Sequence, residues 1–175
     1  VTLSRKNQLG KMIVITVNNE NGIADSIPEL WGMLNDEQRL YLKENAEIRI
    51  YDKHELIYEE NQQPSHIFVL IKGKVKVYKS GASGRSQIIR FIKPTGLFGF
   101  RAAFSGEDYT TSASAFEEST LCLIPVEVIK RIICQNTKVA VLFIKTLASM
   151  LGDADLLTVN LTQKHVRARV ADSLL

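Results

Sequence analysis

The spacing of apolar residues changes from strand-like to helical at Pro125. Before it, from Glu47 to Ile124, apolar residues alternate with polar ones in short runs, the period of half-buried strands. The runs are Glu47–Tyr51, Leu56–Tyr58, His66–Ile71, Lys74–Tyr78, Gln87–Ile92, Thr110–Phe116 and Leu121–Ile124. Polar, glycine-bearing loops such as "ENQQPS" (60–65), "SGASGRS" (80–86) and "KPTG" (93–96) separate them. The spacing predicts a hairpin from His66–Ile71 to Lys74–Tyr78, with Gly73 supplying the positive φ of a tight turn. Many short strands with glycine turns predict an antiparallel roll or barrel.

After Pro125 the period becomes helical. Val126–Cys134 reads as a short helix, and Asn136-Thr137 as the cap of a long one reaching about Leu161. Ala140, Phe143, Leu147, Met150, Ala154, Leu157 and Leu161 alternate steps of three and four, the seam of a coiled coil. A second stripe, Val141, Ile144, Ala148 and Leu151, lies beside it. A helix with two apolar faces needs two partners, so one face is expected on the roll and the heptad seam on a second copy of the chain. Two helix starts precede the strands, one at Ser26 to Glu29 with Ser26 as cap, one at Asn35 to Gln38. The fold class expected is therefore α+β: an antiparallel β-roll flanked by short N-terminal helices and a long C-terminal dimerisation helix.

Composition limits the alternatives. Apolar residues make up 45% of 175 residues and charged ones 23%, ordinary for a globular chain with a real core. A net charge of +3 neither demands nor excludes nucleic acid. Cys122 and Cys134 have no metal or redox spacing, and each sits in an apolar run, so both read as buried hydrophobes. Met12–Val17 is too short for a signal-peptide core or a spanning helix, which leads to a cytoplasmic reading without a membrane partner.

One stretch carries most of the functional information. "GLFGFRAAFSGEDYTTSASAF", residues 96–116, has the turn, short helix start and hydroxyl-rich strand of a phosphate-binding loop, but Phe100 and Tyr109 stand where an acid and a base would be. Thr110, Ser112 and Ser114 share one strand face, which fits a pocket lining and a solvated surface equally well.

The order of parts resembles the cyclic-nucleotide-binding fold: helical lead-in, a roll containing "IFVLIKGKVKVY", the 96–116 loop, then the heptad helix continuing into "HVRARVADSLL". More narrowly it is similar to transcription regulators of the cyclic-AMP receptor protein and fumarate–nitrate regulator (CRP/FNR) family, from about Leu30 to Leu175. The resemblance implies a double-stranded β-helix roll, an effector held between roll and long helix, a homodimer, and DNA bound through a winged helix-turn-helix domain. It divides the chain into an extension (1–26), a sensor (27–135), a dimerisation helix (136–161) and the first helix of a DNA-binding domain (162–175). The recognition helix would lie on a part not present in this chain, and Lys164, His165, Arg167 and Arg169 would touch phosphates or simply face solvent.

In nucleotide-binding members of that family the loop reads Gly-Glu-Leu, a spacer, then Arg-Ser/Thr-Ala. The glutamate holds the ribose and the arginine the cyclic phosphate. With Gly99 on the family's glycine, Phe100 takes the glutamate's place, Arg101 the leucine's, Tyr109 the arginine's and Thr110 the hydroxyl residue's. On the long helix, Asp155 falls beside the family's adenine-contacting pair. Gly99, Phe100, Arg101, Tyr109, Thr110 and Asp155 are thus the candidate effector pocket. A cyclic phosphate buried there without its cation would cost several kcal/mol, so cyclic AMP is not expected in the usual way and the effector is open.

No cysteine precedes Cys122, which excludes the iron–sulfur cluster of some relatives. His54 and His66 sit beside turns, and no nucleophile–base pairing has a recognisable context. The expectation is a non-enzymatic sensor and dimerisation module of a regulator. The alternatives are a stand-alone ligand-binding module acting on a protein partner and, behind it, a cupin-like metalloenzyme.

Overall fold

The structure is a computed structural model that describes residues 2–6, 12–16, 23–24, 27–81 and 86–163. Its strands are β1 (Thr2–Lys6), β2 (Met12–Thr16), β3 (Glu47–Tyr51), β4 (Leu56–Tyr58), β5 (His66–Lys72), β6 (Val75–Ser80), β7 (Ser86–Ile92), β8 (Leu97–Phe98), β9 (Ser112–Ala115) and β10 (Ser119–Pro125). Its helices are α1 (Pro28–Met33), α2 (Asp36–Asn45), α3 (Phe100–Ser105), α4 (Val126–Gln135) and α5 (Thr137–Gln163). Two sheets face each other, one in the order β2-β1-β3-β10-β5-β8, the other β4-β9-β6-β7. All pairings are antiparallel except β1 with β3. The α+β β-roll with a long C-terminal helix is therefore present as expected.

The most apolar pair in the large sheet is β5–β10, in which Phe68 opposes Leu123 and Val69 opposes Cys122. Alternation sends these strands' side chains into two different cores. Phe68, Leu70, Leu121 and Leu123 point between the sheets, with Val75, Val77, Ile92 and Phe98. Ile67, Val69, Cys122 and Ile124 point outward beneath the helices, with Leu42, Ile129, Ile132, Val139 and Phe143. A strand covered on both faces reads as an almost unbroken apolar run, which is what "IFVLI" is.

The hairpin expected across Gly73 is corrected. The tight turn exists, with Gly73 at φ +95, but β5 and β6 do not pair. β5 lies between β10 and β8, while β6 lies between β9 and β7, so the turn carries the chain from one sheet to the other. Alternation alone cannot distinguish these outcomes, because Val75 and Val77 face the same inter-sheet core in either. A Cβ on Gly73 would stand 2.5 Å from both the Glu118 carbonyl oxygen and the Ser119 hydroxyl. That hydroxyl accepts from the Lys74 N–H at 3.2 Å and lies 2.8 Å from the Glu117 carbonyl, to which it donates.

Other local expectations also change. Met12–Thr16 is a strand that pairs with β1, and β1 extends the large sheet alongside β3. The cap position of α1 is Ile27, with Pro28 in the first turn, and Ser26 lies outside the described residues. Asn35 caps α2 in a reciprocal capping box with Gln38, whose side-chain oxygen also accepts from Asn136 at the root of α5 (3.0 Å). Cys122 is buried, and burial pushes its thiol up to about 12, whereas Cys134 is exposed. The expected hydroxyl face divides: Thr110 is exposed and lies at a cleft, whereas Ser112 and Ser114 are buried, and Ser112 Oγ accepts from the Glu60 N–H at 3.0 Å. Residues 164–175, with the expected start of a DNA-binding domain, lie outside the described residues.

Replacing Gly73 by Ala is expected to cost about 1–3 kcal/mol from positive φ alone, and more from the carbonyl contact. Urea denaturation should show a lower midpoint at unchanged slope; a midpoint within error of the unaltered protein would refute the tight-turn account.

Candidate functional site

The 96–116 loop is built on the end of β8. Phe98 is fully buried, its ring 5.3 Å from that of Phe68, and Gly99 follows at φ +82. A Cβ on Gly99 would come within 2.9 Å of the Phe68 ring, so glycine is required both for space and for backbone angle. The chain then makes the single short helix α3, turns at Gly106, and enters β9 through Tyr109, Thr110 and Thr111.

Between this loop, the β6–β7 ribbon and α5 lies a cleft of about 180 Å³. Four of the six candidate residues line it: Gly99, Arg101, Tyr109 and Thr110. Phe100 does not. Its ring is fully buried under the helices, 5.8 Å from the Phe143 ring and 6.3 Å from that of Phe104, because α3 turns its first residue toward α5 rather than toward the cleft. Asp155 is exposed on α5 and is not a lining residue either. Sequence reasoning missed Tyr58, Arg90, Thr111 and Met150, which complete the polar and helical walls. Arg90 was hidden in the plain alternation of β7, where a charged residue reads as an outward-facing one.

Tyr109 lies flat on Tyr58, ring centroids 3.9 Å apart and 17° between planes, and its hydroxyl donates to the His66 carbonyl at 3.3 Å. Burial, then the neighbouring Tyr58 phenol, pushes the Tyr109 hydroxyl well above the ordinary tyrosine range. Burial also raises Tyr58, partly offset by its hydrogen bond with Thr111 and by the charges of Arg90 and Arg101. Both phenols are therefore neutral, and neither balances a cation in the cleft.

Two guanidiniums face this aromatic pair. Arg101 donates to Thr110 Oγ1 (3.1 Å) and to Glu107 Oε2 (3.1 Å), at a pair whose side chains are 44% and 63% exposed. Arg90, half-buried on β7, reaches across to α5 and meets the Met150 Sδ at 3.8 Å. At the rim, Lys79 donates to Glu60 (2.8 Å) and to the Thr110 carbonyl (3.1 Å). A larger cleft of about 270 Å³ between α1 and α5, floored by Leu97 and Phe143, has Glu29 as its one charged lining residue. Thr95 and Thr146 are its other polar lining residues, and the rest of the lining is apolar.

The expected coiled-coil seam divides. Phe143 is 4% exposed within the chain's own core, with Leu147 and Met150 packed beside it, and Ala140 is half-buried. That stripe faces the roll, because helix α5 starts where Asn136 is tied to Met33 and Gln38. Ala154 is exposed, and the side chains of Leu157 and Leu161 lie outside the described residues. The stripe left open is the second one: Val141, Ile144 (64%), Ala148 and Leu151 (65%).

A double-sided roll closed by a long helix, with a small cleft between them, defines a regulatory ligand-binding domain. The chain matches the cyclic nucleotide-binding domain over residues 48–136, just over half its length, and it belongs to that family. Within the family it resembles CRP/FNR regulators. It is 23% identical over 119 residues to the CRP-like cAMP-activated global transcriptional regulator of Mycobacterium tuberculosis, covering 68% of this chain and 53% of that one. It is 33% identical over 79 residues to human cGMP-dependent protein kinase 2, covering 45% of this chain and 10% of the kinase. The structure of FixK2 from Bradyrhizobium japonicum superposes with a TM-score of 0.66 at 27% identity, covering 74% of this chain and 64% of that one. The chain thus spans less than two thirds of each of these relatives. Among the described residues, no cluster of three or more His, Cys, Asp or Glu side chains could hold a metal, and no helix is long and apolar enough to cross a membrane.

Raised phenol values have a defined pH signature. Folding stability from Tyr58 and Tyr109 is complete below the ordinary tyrosine value near 10 and is lost as pH climbs from there toward their folded values. Tyr51, also raised chiefly by burial, contributes in the same sense. Denaturation midpoints should hold steady through neutrality and fall in alkali, and the fall should be shallower in the Y58F/Y109F double variant; an equally steep fall would contradict the buried phenol pair.

Proposed function

We propose that this chain is the effector-sensing and dimerisation module of a CRP/FNR-type DNA-binding regulator. Residues 27–135 form the sensor, 136–161 the dimerisation helix, and 162–175 the first helix of a winged helix-turn-helix domain that contacts DNA. The observation that carries the reading is the position of the cleft: its floor is the roll, and Met150 of α5 is part of its wall. A ligand there touches the element that would pair two protomers. It can therefore favour one arrangement of the paired helices, which is what a switch requires. No catalytic role is assigned to it, and a cytoplasmic location goes with the reading.

Cyclic AMP in the family's usual pose is poorly supported by this cleft. The residue aligned with the ribose-binding glutamate, Phe100, is buried away from the cleft, and the residue aligned with the phosphate-binding arginine, Tyr109, is a neutral phenol stacked on Tyr58. The dimer contact is assigned to the open stripe of α5, Val141, Ile144, Ala148 and Leu151, whose spacing of three, four and three suits a helix pair. A module acting on a protein partner rather than DNA is the second reading, favoured by the match to a kinase segment.

Sedimentation should report a dimer, and I144E/L151E should yield a monomer with an unchanged circular dichroism spectrum. A dimer that survives both substitutions would refute the assignment of that stripe. Calorimetry with cyclic AMP should give no saturable heat at submillimolar concentration; tight binding there would overturn the exclusion.

A further inference from the structure

The two guanidiniums of the cleft carry an inference about what it binds, one that rests on the reading of the cleft as the effector site. Among the described residues Arg90 makes no ion pair, and its Nη1 meets the Met150 thioether at 3.8 Å. Thioether sulfur is a weak acceptor, and a half-buried guanidinium is poorly served by it. Arg101 holds Glu107, but that carboxylate is 63% exposed and solvent screens the pair. Both arginines line the one cleft, on walls supplied by β7 and α3. The phenols beside them supply no negative charge. Thr110 and Thr111 add hydroxyl groups to the same wall.

We propose that the cleft binds a small organic oxyanion, carrying a carboxylate or phosphate group, gripped between Arg90 and Arg101. A guanidinium presents a planar fork of donors that matches either group in a bidentate pose. Val77, Ile89 and Ala102 give the remaining walls an apolar surface for a short carbon skeleton. At about 180 Å³ the space is below the ~300–1,000 Å³ of sites for drug-sized ligands, so the anion is small. The cation that relatives carry at the position of Tyr109 is thus supplied here from β7 and α3. Capture of the anion would also draw Arg90 away from Met150, which links occupancy of the cleft to the seating of α5.

The test is calorimetry on the 175-residue chain with succinate, inorganic phosphate and cyclic AMP as separate arms. Succinate or phosphate should bind saturably, weaken as salt rises, and lose about tenfold or more of its affinity in both R90Q and R101Q. R90K, which keeps the charge without the fork, should fall between, separating a lost cation from a lost fold. No binding of either small anion, or binding unchanged in both glutamine variants, overturns the proposal. An uncharged molecule found in the cleft by native mass spectrometry would overturn the anion site while leaving the effector reading intact. Cyclic AMP bound tightly and lost in R90Q would uphold the anion site and overturn the exclusion of that nucleotide instead.

Discussion

The β5–β10 pair is covered on both faces, and the rest of the molecule is arranged by that. One face, through Phe68 and Leu123, builds the inter-sheet core that supports Tyr58, Phe98 and Tyr109. The other, through Val69 and Cys122, builds the helical core that holds α4 and the root of α5. Neither set of side chains can move without disturbing the same two strands. The cleft is therefore bounded by one core and by a helix anchored in the other. That is a sound layout for a sensor, since well-packed interiors shift between discrete arrangements rather than deform continuously.

The charge pattern around this cleft is laid out around buried neutral groups. Tyr58 and Tyr109 form a stacked, buried phenol pair, and neutral phenols tolerate burial far better than an unpaired ion does. Positive charge is then placed at the cleft's edges, on Arg90 and Arg101, where solvent and local acceptors share the cost of desolvation. The arginine of α3 donates to Thr110 and Glu107. Among the described residues the acceptor facing Arg90 is the Met150 sulfur.

How much of this was legible in the sequence depended on period and on partner. Strands whose alternation was interrupted by turns could be read directly, as could α5, because its apolar repeat runs from Ala140 onward. The pairing of strands could not: β5 and β6 have the spacing of a hairpin, yet the strong two-sided apolarity of β5 places it in the middle of the other sheet. β1 and β2 were missed, since "TLSRK" has little apolar alternation and five residues of "MIVIT" read equally as any short buried run. In the cleft, the loop motif located Gly99, Arg101, Tyr109 and Thr110. Arg90 and Met150 are 60 positions apart and meet only through the packing of α5 on the roll, which no local pattern encodes.

The long helix shows the same limit more sharply. Its two apolar stripes are offset by a single residue, Ala140 against Val141 and Phe143 against Ile144, so sequence alone could assign either to the roll. Aromatic partners decide it. Phe143 meets Phe100 and Phe104 edge-on at 5.8 and 5.0 Å, a contact available only if that stripe faces α3. Phe100, aligned with a ligand-binding acid, therefore acts as a structural link between the loop and the helix. Its ring joins the sensor loop to α5 through Phe143. The cleft and its loop therefore meet α5 at two points, one aromatic through Phe100 and Phe143 and one through the Met150 sulfur.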